Sequence, residues 1–141
     1  MKRFTFLLVI LPLLLCCSKA QKTVFPQKGT ISGKVTDEGE PVSGAFVLLL
    51  EGSEIGERVD LRNAAITNSD GKYKIRMVEP GTHWVAAVKD VEGNYIYDPA
   101  KDPIGWYGKD TLGVTIPQSV TVHKGEDVKN IDITHLYLPG S

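Results

Sequence analysis

The chain has 141 residues, 23% of them charged, and a formal net charge of −1 at pH 7. This balance argues against a general nucleic-acid binder, which would carry a clear surplus of basic residues. The length suits a single domain with an adequate core. Cys16 and Cys17 are the two cysteines and are adjacent. Neighbouring Cα atoms about 3.8 Å apart are too close for an unstrained disulfide.

The N-terminal segment has the features of an export signal. Two of the first three residues are basic, and residues 4–15 are apolar apart from Thr5 and Pro12. A transmembrane helix needs about 20 apolar residues, so this run is too short to cross a bilayer but suits the core of a secretory signal. We therefore predict a signal peptide over residues 1–16.

The end of this run resembles the lipobox of bacterial lipoproteins, in which a small residue precedes the cysteine that receives the lipid. Leu14, Leu15 and Cys16 then precede the cleavage point, and Cys17 becomes the acylated first residue. The alternative acceptor is Cys16, which places the larger Leu15 at the cut, and a third interpretation is a plain cleaved signal with no lipid. Ser18 beside the lipid site resembles outer-membrane sorting. The resemblance implies a cell-envelope protein held on the membrane by its acyl chains.

After cleavage, residues 17–28 are expected to form a mostly polar tether and residues 29–141 the folded domain. Without Lys2 and Arg3, the 16 basic residues fall to 14 against 17 acidic ones, a formal charge of −3. Because no cysteine follows Cys17, the domain must be stable without disulfides even in an exported protein.

Short alternating or apolar runs separated by turn residues fill the rest of the chain. Tyr73, Ile75 and Met77, for example, alternate with basic residues and are expected on one face of a strand. The predicted strands are ISGKVTD (31–37), AFVLLLEG (45–52), a short strand near 64–68, KYKIRMV (72–78), THWVAAVKD (82–90), SVTVHKG (119–125) and NIDITHLYL (130–138). Such a pattern predicts an all-β fold, a seven-stranded Greek-key β-sandwich of the prealbumin-like or immunoglobulin-like kind.

Three motifs in order resemble the carboxypeptidase regulatory-like domain family. They are GKVTDEGEPVSGAFVLL (33–49), TNSDGKYKI (67–75) and EPGTHWVAAV (79–88), and residues 116–136 resemble the family's last two strands. The resemblance implies a transthyretin-like β-sandwich that accompanies a peptidase without cleaving anything. No cofactor is expected, because the sequence has no HxxE motif followed by a distant histidine, as the zinc site of the peptidase requires.

The three histidines give no sign of a metal site. His83 and His135 are expected to point inward from strands, and His123 to border a turn, without converging. The terminal YLPGS (137–141) resembles the Tyr-Arg-Gly-Ser end of transthyretin relatives that hydrolyse 5-hydroxyisourate. However, the Arg position holds Leu-Pro, and Ser32-Gly33 stands where those relatives have a catalytic histidine, so this activity is disfavoured.

An internal isopeptide bond is a further possibility for a sandwich of this topology. Lys34 would have to join Asn130 or Asp132 in a buried site. Alternation places Ile31 and Val35 inward and therefore Lys34 outward, and it places both candidate partners outward as well. Solvated charges on a sheet face are the expected outcome.

Residues 94–113, named here the aromatic loop, are the least strand-like part and contain Tyr95, Tyr97, Trp106 and Tyr107. The rings are expected either to pack over the open end of the sandwich or to bind a sugar or peptide. We predict a buried Trp106, with Tyr97 and Tyr107 at a partly wet rim.

Taken together, these features predict a non-enzymatic, lipid-anchored cell-envelope protein whose β-sandwich serves structural support or binding. The alternative is a carbohydrate- or peptide-binding lipoprotein that uses Tyr97, Trp106 and Tyr107 of the aromatic loop. A glycan or an envelope protein is the expected partner besides the membrane.

Overall fold

The computed structural model describes residues 27–139, and within that range it contains strands and turns but no helix. The all-β prediction is therefore confirmed. The strands are β1 (Gly29–Lys34), β2 (Thr36–Asp37), β3 (Glu40–Pro41), β4 (Phe46–Leu50), β5 (Ala65–Ile66), β6 (Lys72–Val78), β7 (Gly81–Val88), β8 (Ile104–Trp106), β9 (Gly108–Thr111), β10 (Val114–Pro117), β11 (Ser119–Val122) and β12 (Asp127–Val128). These twelve pieces exceed the expected seven because one predicted strand is divided into β1 and β2 and because β3, β8, β9, β10 and β12 lie where no strand was predicted.

Two principal sheets carry the fold. The first has the order β12-β1-β6, in which β1 is parallel to β12 and antiparallel to β6. The second has the order β11-β7-β4-β5, with β8 also paired to β7. Two short hairpins, β2–β3 and β9–β10, complete the described strands. In the first hairpin Glu38 and Gly39 both have positive φ, as a two-residue turn requires.

The inner core lies between the two sheets. It draws side chains from both, and their two-residue spacing matches the alternation seen in the sequence. The buried members are Ile31, Val35, Val47, Tyr73, Val78, Val85, Ala87, Val120, Val122, Ile131, Ile133 and Leu136. This agreement explains why the sandwich could be predicted from sequence patterns.

A second cluster, the outer core, occupies the opposite face of the five-stranded sheet. Residues 51–64 and 89–103, the covering segments between strands β4 and β5 and between β7 and β8, lie over this face. The buried members are Phe46, Leu48, Leu61, Ala86, Val88, Tyr97, Ile104 and Trp106. Because the sheet is buried on both faces, β4 reads as a continuous apolar run and does not alternate.

A bulge interrupts the predicted alternation of β6. Ile31 pairs with Ile75 and Gly29 with Val78, so β6 has one residue more than β1 over this stretch. Met77 takes up the difference with a φ of 60° and is 70% exposed. The expectation that Met77 lies on the inward face with Tyr73 is therefore wrong.

The last predicted strand, residues 130–138, is not a regular strand. Ile133 and Tyr137 form isolated bridges to Val35 and Ile104, and Asn130 has a φ of 59°. Ile131 and Ile133 are nevertheless buried as their alternation predicted. Conversely, the aromatic loop contains β8 and β9, although the sequence suggested little strand there.

The predicted signal peptide, most of the predicted tether, and both cysteines lie outside the described residues. Within residues 27–139, no helix is long and apolar enough to cross a membrane.

Candidate functional site

Trp106 is a core residue of the outer cluster. It lies on β8, where it pairs with Ala86 of β7, and is 6% exposed. The strand pairing fixes its backbone, and its ring extends the apolar face that Phe46 and Leu48 begin. The predicted burial of Trp106 is confirmed.

Tyr97 is also buried, contrary to the prediction of a partly wet ring. Its side chain is 2% exposed because residues 58–61 run alongside it. The Tyr97 amide donates to the Val59 carbonyl at 2.9 Å, and the Arg58 amide donates to the Tyr97 carbonyl at 3.1 Å. Burial raises the pKa of the Tyr97 hydroxyl above its ordinary value.

Tyr107 is partly buried, as predicted, but it packs against the inner core and not the outer one. Successive side chains on a strand point to opposite faces, so Tyr107 and its neighbour Trp106 contribute to different clusters. Its amide donates to the Val85 carbonyl at 2.9 Å, and its carbonyl accepts from the Gln118 amide at 3.0 Å. Tyr95, the fourth aromatic residue, is 49% exposed and meets Phe46 edge-on.

Carboxylates organise the segment that covers Trp106. Asp102 is 1% exposed and accepts the amides of Val91 and Asp98, each at 2.9 Å. Asp90 accepts the amides of Gly93 and Tyr95, each at 2.8 Å. Sequence analysis did not identify these roles. Aspartates at the two ends of a Gly- and Asn-containing stretch are the signal that points to them.

On the neighbouring covering segment, Asp60 and Arg62 form a local ion pair. Hydrogen bonds from the Arg62 side chain and amide lower the pKa of the Asp60 carboxyl to about 2. The Nε–Oδ1 distance is 2.9 Å. The pair is solvent-exposed, so it shapes the turn more than it adds stability.

An open cleft of about 580 Å³ lies near these groups. Its lining includes the charged residues Glu57, Arg58 and Lys101, together with Asn94 and Tyr97. Lys101 is held by Glu92 through a 2.8 Å ion pair. The cleft is thus polar, and Tyr97, at 2% exposure, offers no open ring face for stacking.

A smaller depression of about 330 Å³ adjoins the same wall and is mostly apolar. Ile55, Ile104, Trp106 and Tyr137 contribute to its lining. Every buried side-chain nitrogen or oxygen in the described part of the chain has a hydrogen-bond partner.

The histidines do not form a metal site. His83 Nε2–H donates to the Glu79 carbonyl at 2.7 Å, and His135 Nδ1–H donates to Asp37 at 3.0 Å. Both rings are partly exposed, so the inward orientation predicted for them is wrong: His83 lies near the sheet end, and His135 lies on the irregular last segment. His123 borders the turn as predicted. Among residues 27–139, no group of three or more His, Cys, Asp or Glu side chains could hold a metal.

The described residues do not provide the geometry for an isopeptide bond or for hydrolysis of 5-hydroxyisourate. Asn130 and Asp132 are exposed, and Asp132 accepts the backbone amide of Lys34 at 2.9 Å. Asp132 and Lys34 are thus part of a solvated face and do not form a buried isopeptide site.

Gly33 stands near the position of the catalytic histidine in the relatives that hydrolyse 5-hydroxyisourate. A Cβ atom at Gly33 would lie 2.0 Å from the Ile131 carbonyl oxygen, so this backbone leaves no space for a side chain at Gly33.

The arrangement defines a class: a β-sandwich domain whose extra aromatic residues are packed as a second core. The chain matches the carboxypeptidase regulatory-like domain family over residues 30–135. It therefore belongs to this family, and the predicted resemblance is confirmed. Domains of this family are non-catalytic.

No curated protein matches the chain. Among solved structures, the chain is similar to the crystal structure of a DUF3823 family protein from Parabacteroides merdae ATCC 43184, at 14% identity and a TM-score of 0.37. The similarity covers 78% of this chain and 47% of that one, so the chain spans about half the length of that protein.

Proposed function

We propose that this chain is a non-enzymatic, lipid-anchored protein of the bacterial outer membrane, whose sandwich serves structural support. The observation that carries the support role is the burial of Trp106 and Tyr97, at 6% and 2% exposure. Rings that stack on a sugar or a peptide must present a face to solvent, whereas these rings fill the outer core.

The lipid anchor rests on the sequence at the end of the apolar N-terminal run. Cys17 follows a small residue there, and no other cysteine is present downstream to pair with it. Several acyl chains would bind the membrane firmly, since each buried CH₂ contributes about 0.8 kcal/mol. The absence of catalysis is supported by the non-catalytic family and by the way the described histidines and buried aspartates are used within the fold.

The anchor is tested by mass spectrometry of the protein extracted from membranes. The expected N-terminal peptide begins Cys17-Ser18-Lys19 and carries acyl chains. Cys17→Ala should abolish this species, while the matched variant Cys16→Ala should preserve it, because alanine is also a small residue before the acylation site. Lipid attached at Cys16, or an unmodified N-terminus, would contradict the assignment.

A second candidate function, binding of a carbohydrate or peptide, is favoured by the open polar cleft. Arg58, Asn94 and Lys101 supply donors around it, and the exposed Tyr95 lies nearby in sequence. A screen of the protein against glycans and peptidoglycan fragments tests this candidate. Binding that Arg58→Ala weakens at least tenfold would favour it, and Lys124→Ala serves as a control remote from the cleft.

A further inference from the structure

The outer face of the first sheet carries a concentration of lysines. Lys34 pairs directly with Lys72 across β1 and β6, and Ser32 pairs with Lys74. Paired residues of antiparallel strands point to the same side, so these ammonium groups share one face. Lys129, which follows β12, lines the same shallow groove of about 380 Å³ as Lys34 and Lys72. Lys34, Lys72, Lys74 and Lys129 are named the lysine face.

The positive charge of this face is only partly neutralised. Asp132 lines the same groove as Lys34 and Lys72. Asp127 lies 3.9 Å from the Lys74 ammonium and 3.8 Å from that of Lys129. Among residues 27–139, neither Lys34 nor Lys72 forms an ion pair. Like charges placed directly opposite one another destabilise a sheet. An anionic partner would remove this repulsion.

The charge distribution across the layers is asymmetric. The covering segments, residues 51–64 and 89–103, lie over the opposite side of the sandwich and contain eight acidic and four basic residues. The lysine face and the segment that enters its sheet are basic, since residues 18–28 contain Lys19, Lys22 and Lys28 and no acidic residue. An otherwise acidic mature chain thus has one cationic side, and that side is continuous with the predicted tether.

We infer that the lysine face is a docking surface for an anionic phospholipid membrane. Charge complementarity favours phosphate headgroups, and the chain length favours the membrane over a soluble polyanion. Eleven residues lie between Cys17 and Gly29, and their extended reach is about 40 Å, so the first sheet stays close to the bilayer. This part of the inference rests on the lipid anchor proposed above. The sheet would then lie against the headgroups, with the acidic covering segments facing away.

Membrane binding through the lysine face should therefore depend on the salt concentration and on the charge of the lipids. A lysine near an anionic membrane surface contributes about fivefold to the partition constant, and salt screens the attraction. The double variant Lys34→Gln/Lys72→Gln should therefore have a partition constant for anionic vesicles about 25-fold lower than that of the wild type. Lys101→Gln/Lys109→Gln removes the same charge from exposed lysines away from the first sheet and should change it much less.

The test uses the acylated protein returned to vesicles of phosphatidylcholine with one quarter phosphatidylglycerol, or of phosphatidylcholine alone. An impermeant amine-acetylating reagent is applied, and each lysine is quantified by mass spectrometry. We expect Lys34, Lys72, Lys74 and Lys129 to be protected at least threefold in the anionic vesicles, with protection lost in about 0.5 M salt. Lys101 and Lys109 should label equally in both vesicles.

Equal labelling of the lysine face in both vesicles would overturn the inference. Protection by soluble polyphosphate without protection by anionic vesicles would also overturn it and would indicate a soluble polyanion as the ligand. The intact mass of the same sample reports acylation independently. A protein that lacks acyl chains but co-sediments with anionic vesicles through the lysine face would refute the anchor alone.

Discussion

The inner and outer cores differ both in composition and in how they are enclosed: one of the twelve buried inner-core residues is aromatic, against three of the eight in the outer core. The inner core is enclosed by two sheets, so its side chains come mainly from strands that alternate with solvent-facing residues. The outer core has a sheet on one side only, and irregular segments form its other wall. Those segments depend on carboxylate-to-amide hydrogen bonds for their shape and on large aromatic rings for their filling. The comparison teaches that a loop rich in aromatics can be part of the packing and need not be a binding site.

The largest expected effect comes from removing the ring that the outer core depends on most. Trp106→Ala should lower the free energy of unfolding by about 3–5 kcal/mol, because the residue is buried and its neighbours cannot fully close the cavity. Urea denaturation measures the change. Leu112→Ala, at a fully exposed hairpin tip, should stay within about 0.5 kcal/mol. If Trp106→Ala unfolds at the same urea concentration as the wild type, Trp106 does not support the outer core, and the aromatic loop is not a packed segment.

Removing the buried carboxylate of the covering segment should have the next largest effect. Asp102→Ala leaves the Val91 and Asp98 amides without their acceptor, at about 1–3 kcal/mol for each unsatisfied group. Asp102→Asn keeps one acceptor oxygen and should cost about half as much. If both variants unfold at the wild-type urea concentration, the covering segment is held by something other than these hydrogen bonds.

Removing a buried hydrogen-bonding group from the inner core should lower the free energy of unfolding by less. The Tyr73 hydroxyl donates to the Ile131 carbonyl at 2.6 Å and is buried. Tyr73→Phe keeps the ring and removes the hydroxyl, so we expect a loss of about 1–2 kcal/mol in urea denaturation. A loss above that of Asp102→Ala would show that the inner core also depends chiefly on polar anchoring.

The last prediction has the smallest effect at neutral pH and concerns how the stability of the fold depends on pH in alkaline solution. Burial raises the pKa of both Tyr73 and Tyr97. The folded chain therefore favours the neutral hydroxyls: their contribution is complete below the unfolded pKa of about 10 and is lost as pH rises above it. Above about pH 10, the slope that Tyr73 adds should approach about 1.4 kcal/mol per pH unit, and Tyr97 should add a slope of the same sign. Tyr73→Phe and Tyr97→Phe should each reduce the loss of stability measured between about pH 10 and 11.5.

The inner core was accessible from sequence because period-two alternation depends on one buried face per strand. Ile31, Val35, Ile131 and Ile133 all lie where alternation places them. Met77 departs from the pattern because a bulge inserts a residue, and a bulge leaves little trace in a short apolar run. The number of strands was also difficult to predict, since bridges such as that of Ile133 depend on partners distant in sequence.

The candidate site was only partly predictable for a related reason. The size of Trp106 and its place in an apolar segment indicated burial. Tyr97 was placed at the rim because its own neighbours, Ile96 and Asp98, give no sign that residues 58–61 cover it. The role of Asp102 depends on two amides that only the folded chain brings together. Local pattern thus predicts which residues are apolar, but not which irregular segment covers them.

The central claim, that the aromatic loop fills a core, is tested most directly by the fluorescence of single-tryptophan variants. Trp84 and Trp106 are the two tryptophans of the chain, so Trp84→Phe isolates Trp106, and Trp106→Phe isolates the partly buried Trp84. The account predicts blue-shifted emission from Trp106 and acrylamide quenching several-fold weaker than for Trp84. Red-shifted emission from Trp106, quenched as readily as free tryptophan, would contradict it.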